Sequence, residues 1–478
     1  MPNEVASRFQ FIAHALRGDG PFRPGVRDGL WTTGLAVAST GGESYLTRYP
    51  RESDTKFARR NEVAFYASPL ARACSRFAGY LSMQTPQREL PNELYQLVAD
   101  DVDGKGNAID VFFQQFIVEA KARGSMLLLV DMPTTTAQTL ADQIAGRRVP
   151  YWTSIPPESL TDYLVGDNGR FERVSFLGNY PEDGKRVECI WTFDMTGWEA
   201  REKNGPRVFE TGEHGLDECP VLAFAETGDF PSFGPFSAIA DLAKRLFNLD
   251  SELDEILRSQ TFSLLTMQVP AESTAEQKLA AANAAGVTIS ASNLLTHTGA
   301  TPAFIAPPDG PARVYLDRIE MMNKQIDEIG LNVATVNQQE SGIAMQMRFQ
   351  AINAELARFS QRMQDLEARA WELTRKWLSL SQPVDVQWPR DFNLADVEQE
   401  LKVLRDMQSA GLPREIIAEQ QKRVVSVQFS GLDIEAQQRI NAAIDERLLE
   451  PEPAGNVIPL RPDPNAELRA AAVRALNG

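Results

Sequence analysis

Asp110 followed by Glu119-Ala-Lys121 is the bare pattern of a magnesium-dependent nuclease, since an Asp ahead of a Glu-x-Lys can hold the metal and activate a water. Here all three residues fall on one predicted helix, where Glu119 and Lys121 point to different faces, so the match reads as chance. Asp101, Asp103 and Gly106 occupy three positions of a calcium-binding loop, but Lys105 takes a ligand place and Phe112 stands where the bidentate Glu belongs. That stretch reads as a turn before a helix. His14, His214 and His297 have no metal-ligand spacing and are expected at surface or loop positions. The sequence holds neither the phosphate-cradling G-x-x-x-x-G-K-[ST] loop nor the G-x-S-x-G nucleophile elbow. No catalytic residue, metal site or cofactor is expected, and any energy-consuming step belongs to a partner.

The elements carry more information than the chemistry. Phe349, Ile352, Leu356, Phe359, Met363, Leu366, Ala370, Leu373, Trp377 and Leu380 recur at alternating steps of three and four, the a/d pattern of a heptad seam. A helix over Gln346 to Leu380 would be a spine about 50 Å long. Before it, residues 331–344 (LNVATVNQQESGIA) lose the period and present Asn332, Thr335, Asn337, Gln338, Gln339, Glu340 and Ser341. A helix over 312–330 precedes that loop, its stripe formed by Leu316, Ile319, Met322, Ile326 and Ile329. Another, from Ser237 to about Thr266, carries Ile239, Leu242, Leu246, Leu249, Leu253 and Ile256 at the same spacing. Residues 267–311 between these two helices lack a seam and read as a small projecting module.

Upstream, Phe9, Ile12, Ala13 and Leu16 mark a short helix, followed by Gly- and Pro-rich sequence from Gly18 to Gly42, together expected to be an arm or loosely docked extension. Phe57 to about Ser82 reads as one helix with Ala64, Phe65, Ala71, Phe77 and Leu81 available for burial and Arg59, Arg60, Arg72 and Arg76 on a solvated face. Asp110 to Arg123 is a further helix. Strands are expected at 125–131, 150–155, 171–177, 187–195, 221–225 and 384–388, giving an α+β, predominantly helical chain. Helices follow over 396–410, 414–425 and 434–449, then Pro-rich sequence from Glu450 to Pro464 that reads as a flexible link.

With 478 residues, 43% hydrophobic and 24% charged, the chain can bury a substantial core. No apolar run reaches the length of a membrane span, and MPNEVASRFQ lacks the pattern of an export signal. Cys74, Cys189 and Cys219 are odd in number and far apart, which favours reduced, buried thiols. A formal charge of -17 argues against a protein that grips nucleic acid through its phosphates, though not against one that lets DNA pass.

The order helix, insert, helix, polar loop, long helix resembles the middle of tailed-bacteriophage portal proteins, the head-to-tail connectors. Tyr49-Pro50-Arg51-Glu52-Ser53 with residues 57–83, Asp100 to Gly106, Gly124 to Asp131, Tyr151-Trp152, and Glu340-Ser341-Gly342 opening into Met345-Gln-Met-Arg-Phe-Gln-Ala are similar to segments of the same family. The resemblance spans roughly residues 45 to 425, and its specificity lies in the ordered set.

It implies a portal-like fold around the spine helix: arm 1–48, α+β wing 49–236, first stem helix 237–266, clip 267–311, second stem helix 312–330, tunnel loop 331–344, long wing helix and return strand 345–395, helical crown side 396–449 and tail 450–478. It also implies a dodecameric ring around a DNA channel at one capsid vertex of the virion, assembled in the host cytoplasm. The implied roles are genome packaging, head-tail joining and DNA ejection, with terminase, a head-tail adaptor, the major capsid protein and sequence-neutral double-stranded DNA as partners. The implied tunnel-loop residues are Asn332, Thr335, Asn337, Gln338, Gln339, Glu340 and Ser341, and Asp250, Glu252, Asp254 and Glu255 are the channel-facing stem candidates. The three seamed helices are expected to carry more apolar edge than one copy can cover. A coiled-coil adaptor or scaffold protein is the alternative that the heptads alone would support equally, and the nuclease is the weaker one.

Overall fold

The structure, a computed structural model, describes residues 3–23, 44–133, 148–261, 264–268, 274, 276, 294–297, 303–305, 310–331, 342–390, 392, 397–428 and 434–449. The chain divides after Phe392 into two units. The first begins with α1 (Asn3–Arg17), α2 (Asp54–Val63), α3 (Pro69–Leu81), β1 (Gln87–Glu89), α4 (Glu93–Asp100) and α5 (Ile109–Arg123). Strands follow: β2 (Ser125–Asp131), β3 (Tyr151–Ile155), β4 (Leu160–Val165), β5 (Phe171–Glu182), β6 (Lys185–Asp194), β7 (Gly197–Glu202), β8 (Val208–Glu213) and β9 (Val221–Ala225). Then come α6 (Ser237–Thr261), β10 (Leu264–Gln268), β11 (Leu294–His297), β12 (Ala303–Ile305), α7 (Gly310–Ile329), α8 (Gly342–Trp377) and β13 (Asp385–Gln387). The second unit holds α9 (Val397–Ser409), α10 (Arg414–Gln428) and α11 (Ile434–Leu449), with Lys422 on α10 ion-paired to Asp445 on α11.

The heptad stripe of α8 is the core of the first unit. Ile352, Leu356, Phe359, Met363, Leu366, Ala370 and Leu373 are all buried, against α3, β2 and β9. This corrects the expectation that the seam needs a second copy: within one chain the stripe of α8 is already covered. Aromatic rings fill its lower half, with Trp371 edge-on to Tyr95 and Trp152, and Phe113 edge-on to Trp152 and Trp388. The helix stops at Trp377 because Ser379 turns left-handed (φ 52°), which lets the Leu380 amide return to the Arg375 carbonyl.

Two sheets build the α+β part. One has the order β3-β2-β9, with Met126, Leu128 and Val130 in the main core and Leu127 and Leu129 in a second cluster. That alternation is why Ser125–Asp131 reads as wholly apolar: both faces are buried. The other is a five-stranded meander, β4-β5-β6-β7-β8. Its central hairpin turns through Asp183 (φ 48°) and Gly184 (φ 72°), the pair of left-handed residues a tight two-residue turn requires. β13 pairs with β1, returning the chain after the spine helix.

Several expectations are revised. Phe57 to Ser82 is two helices, because Pro69 disfavours helical geometry in the residue before it and Ser68 adopts φ 47°. Phe65, in the break, is 71% exposed rather than buried, and Arg60 is buried rather than solvated. Helix α1 is no loose extension: Phe9, Ile12, Ala13, Ala15 and Leu16 are buried, and Arg8 forms a two-pronged bond to Asp241 of α6 at 2.7 Å. His14 and His214 are buried too, His14 Nδ1 lying 3.1 Å from the Tyr45 hydroxyl and His214 Nε2 3.0 Å from the Asp194 carbonyl. Helix α6 ends at Thr261 instead of continuing to Thr266, which belongs to β10. The three cysteines are free and buried.

One backbone position joins the layers. Gly124 ends α5 at φ +82°, and a Cβ there would run into the backbone of Gly234. Gly124→Ala combines a forbidden dihedral with a collision, so it is expected to destabilise the first unit by about 2–4 kcal/mol, read as a lowered midpoint in chemical denaturation.

Candidate functional site

Helices α6 and α7 pack on one another and are joined through the small sheet in which β10 lies between parallel β11 and antiparallel β12. Met322 and Ile326 of α7 lie in the main core with Ile239, Leu246 and Phe247 of α6. Further along the pair the apolar cover thins: Leu257 of α6 and Val314, Leu316 and Met321 of α7 are exposed.

The four candidate acids of α6, Asp250, Glu252, Asp254 and Glu255, do not share one environment. Glu252 accepts a bond from the Tyr315 hydroxyl of α7 at 2.9 Å, and Glu255 pairs with Lys56 at 3.2 Å and Arg258 at 3.4 Å. Both are committed to contacts within the chain. Asp254 is exposed, and half-buried Asp250, one turn before it, has its carboxyl raised above the usual range by burial and by the Asp254 charge.

A buried clamp holds α6 to the segment before α2. Arg60 donates to both Glu52 carboxylate oxygens (2.7 and 3.0 Å), to the Thr47 carbonyl (2.7 Å), to the Tyr49 hydroxyl (3.0 Å) and to Ser251 Oγ on α6 (3.4 Å). The Tyr49 hydroxyl is pushed up to about 12 by burial and by Glu252. Tyr49-Pro50-Arg51-Glu52-Ser53 thus earns its place as a fitting that carries α6, a role its exposed-looking composition concealed.

Along α8, at Glu355, a second buried charge ties three elements together. Lys121 Nζ lies 2.6 Å from Glu226 Oε1 and 2.6 Å from Glu355 Oε1, and is roofed by Phe77 at 4.2 Å and Phe236 at 4.3 Å. Glu226 has its carboxyl raised by burial. Sequence reasoning missed this centre, although a lysine on the inward face of a helix carrying Phe113, Phe116 and Ile117 was a usable signal.

The same geometry separates the nuclease triplet. Asp110 pairs with Arg88 (2.7 Å), Glu119 pairs with Arg123, and Lys121 with Glu226 and Glu355, so the three serve three different ion pairs. In the 101–107 turn, Asp101 accepts from the Gly106 amide at 2.7 Å and Asp103 from the Lys105 amide at 3.0 Å, as a helix-preceding turn should. Among the described residues no group of three or more His, Cys, Asp and Glu side chains is placed to hold a metal, and no helix is long and apolar enough to cross a membrane. Asn332, Thr335, Asn337, Gln338, Gln339, Glu340 and Ser341 lie outside the described residues, and Gly342 onward is already helix α8.

No protein-family model and no curated protein matches the chain. Among solved structures, it is similar to a chain in the neck of the native gene transfer agent particle computed with C12 symmetry (12% identity, 78% of this chain and 93% of that chain, TM-score 0.41). It is also similar to a chain in the virion of the native gene transfer agent particle (11% identity, 83% and 96%, TM-score 0.37). A third is an HK97 family phage portal protein from Corynebacterium diphtheriae (8% identity, 69% and 96%, TM-score 0.34). At such identities and scores these likenesses fix neither activity nor partners.

Two substitutions probe the site. Lys121→Ala strands two carboxylates among phenylalanines and is expected to cost about 3–5 kcal/mol near neutral pH. Because the Glu226 carboxyl is raised, its ionised form carries that penalty above the raised value, so the deficit should shrink as pH falls; denaturation curves at two pH values test this. Asp250→Asn removes a like-charge i,i+4 neighbour and is expected to leave stability unchanged or raise it by up to about 0.5 kcal/mol, by the same measurement.

Proposed function

We propose that the chain is the subunit of a phage portal, a ring at one capsid vertex through which DNA is packaged and later ejected. The observation that carries this reading is the order of elements in the chain itself. A helix pair bears a three-stranded module, and after an amide-rich stretch of sequence a long helix is seated on an α+β body. On this reading α6 (Ser237–Thr261) and α7 (Gly310–Ile329) are the stem, the module of β10, β11 and β12 between them is the clip offered to terminase and then to the head-tail adaptor, and 49–236 is the wing. Residues 342–392 complete the wing, and 397–449 form the crown side.

Ring contacts are assigned to the α6–α7 pair, whose exposed Leu257, Val314, Leu316 and Met321 need cover, and not to the seam of α8, which is spent inside the chain. That seam also weakens the adaptor reading, which needs a free heptad face. A dozen copies would carry on the order of -200 charges, so DNA would be repelled from the channel wall rather than held. Asp254 and Asp250 are the stem acids best placed to contribute. In the segment 332–341, Asn332, Thr335, Asn337, Gln338, Gln339, Glu340 and Ser341 would exchange hydrogen bonds with passing phosphates without the grip of Lys or Arg. With no nucleotide-binding loop in its sequence, the subunit is a structural channel and the terminase supplies the work.

Replacing residues 337–340 with lysines is expected to stall packaging while leaving assembly intact, scored as packaged DNA per particle. Native mass measurement with end-on images should give a closed ring. A protein that stays monomeric at high concentration and with capsid components present, or lysine loops that package at the unaltered yield, would count against the portal reading.

A further inference from the structure

Among the described residues β9 is the outermost member of the β3-β2-β9 sheet, with no strand on its other edge, and that edge runs beside a cleft of about 220 Å³ walled by α8 and by the turn before β5. Which backbone groups face that cleft follows from the ladder. The Glu226 amide bonds the Gly124 carbonyl (2.8 Å) and the Val130 amide bonds the Pro220 carbonyl (3.0 Å), so by antiparallel alternation Leu222 and Phe224 pair inward with β2. Val221, Ala223 and Ala225 therefore turn their backbone groups outward. The Val221 amide is taken by the Cys219 thiol, which leaves the amides and carbonyls of Ala223 and Ala225 facing the cleft. Ala223 is exposed, and neither alanine presents a side chain large enough to block an approaching backbone.

The rim is cationic, against the sign of the chain. Glu218 is shared by Arg170 (3.3 Å), Arg369 (2.9 Å) and Lys376, so one carboxylate answers three cations. Arg362, exposed on the same wall of α8, adds a fourth, and the only other acid lining the cleft is Asp365. In a chain of net charge -17 this is a local basic surplus beside unpaired strand groups.

We propose that this edge is a docking site for an extended acidic peptide segment of a partner protein, which adds to β9 as a further strand with its carboxylates toward Arg362 and the Glu218 cluster. The chemistry selects that occupant. Outward amides and carbonyls repeating about every 6.8 Å pair with a peptide backbone, whereas a phosphate chain would engage the cations and leave the carbonyls unmatched. The inference goes beyond the portal reading and stands on the strand edge and the charge alone.

A fluorescent heptapeptide of alternating glutamate and valine, titrated into the full chain by anisotropy, should bind, and its lysine counterpart should not. Ala223→Pro removes an outward amide that the fold does not use, a place where an edge strand tolerates proline; it is expected to weaken binding about tenfold with thermal unfolding unchanged. Arg362→Glu should weaken it about fivefold and reduce its salt dependence. The same peptide methylated on alternate amides should lose binding to the unaltered protein, which keeps the test decisive if the proline variant folds poorly. Binding indifferent to both substitutions and to methylation overturns the proposal. So does capture of duplex DNA instead of the peptide, or an Ala223→Pro change in oligomer size with no peptide bound, which would give the edge to a second copy.

Discussion

Axial register is the constraint on which the first unit depends, because a heptad seam alone is nearly indifferent to a slip of one repeat, about 10 Å along the helix. Buried polar contacts remove that indifference along α8. Glu355 meets Lys121 (2.6 Å), Ser360 donates to the Pro389 carbonyl (2.5 Å), and Glu367 accepts from Arg88 (2.5 Å) and Trp388 (2.7 Å). Thr374 accepts from the Trp152 indole at 3.0 Å, and Trp377 donates to the Val130 carbonyl at 3.1 Å. A slipped helix would leave Lys121, Arg88 and an indole N–H buried without partners, at about 1–3 kcal/mol for each neutral group and more for each charge. The apolar residues supply the attraction, and the polar ones choose the position.

That fixed position sets where the ends of α8 emerge. Its N-terminal end follows residues 332–341 in sequence, and the Lys121 centre grips the helix at Glu355, joining α5, the residue after β9 and α8. Arg60 does the equivalent for α6 by binding Glu52, Thr47, Tyr49 and Ser251. Both anchors fasten a long helix, α6 or α8, to the α+β body. Such polar fastenings fix position, since apolar contacts resist separation far better than they resist sliding.

Periodic features were legible and long-range ones were not. The stripe of α8 could be read from residue types because 3.6-residue helices repeat their burial, and apolar β2 announced itself by being covered on both faces. Strands β4, β7 and β8 escaped notice because Leu160–Val165, Gly197–Glu202 and Val208–Glu213 interleave polar and charged residues on an open meander. The break between α2 and α3 was written in Pro69 but overridden by the helical composition around it. Among candidate site residues, Glu252 and Glu255 looked free because their partners, Tyr315 and Lys56, are distant in sequence. Burial of Lys121 likewise depends on Glu226 and Glu355, neither of them local. No window of local sequence encodes such a pairing.

The charge of the stem follows from the same pairing. Four acids in six residues suggested a uniformly negative wall, yet two of them hold partners within the chain, and half-buried Asp250 has its carboxyl raised by burial and by the Asp254 charge. Two of the four are therefore tied to partners within the chain, and the other two, Asp250 and Asp254, stand one helical turn apart. The environment of an acid on this helix is thus set by residues distant in the chain, and composition alone does not describe the surface it makes.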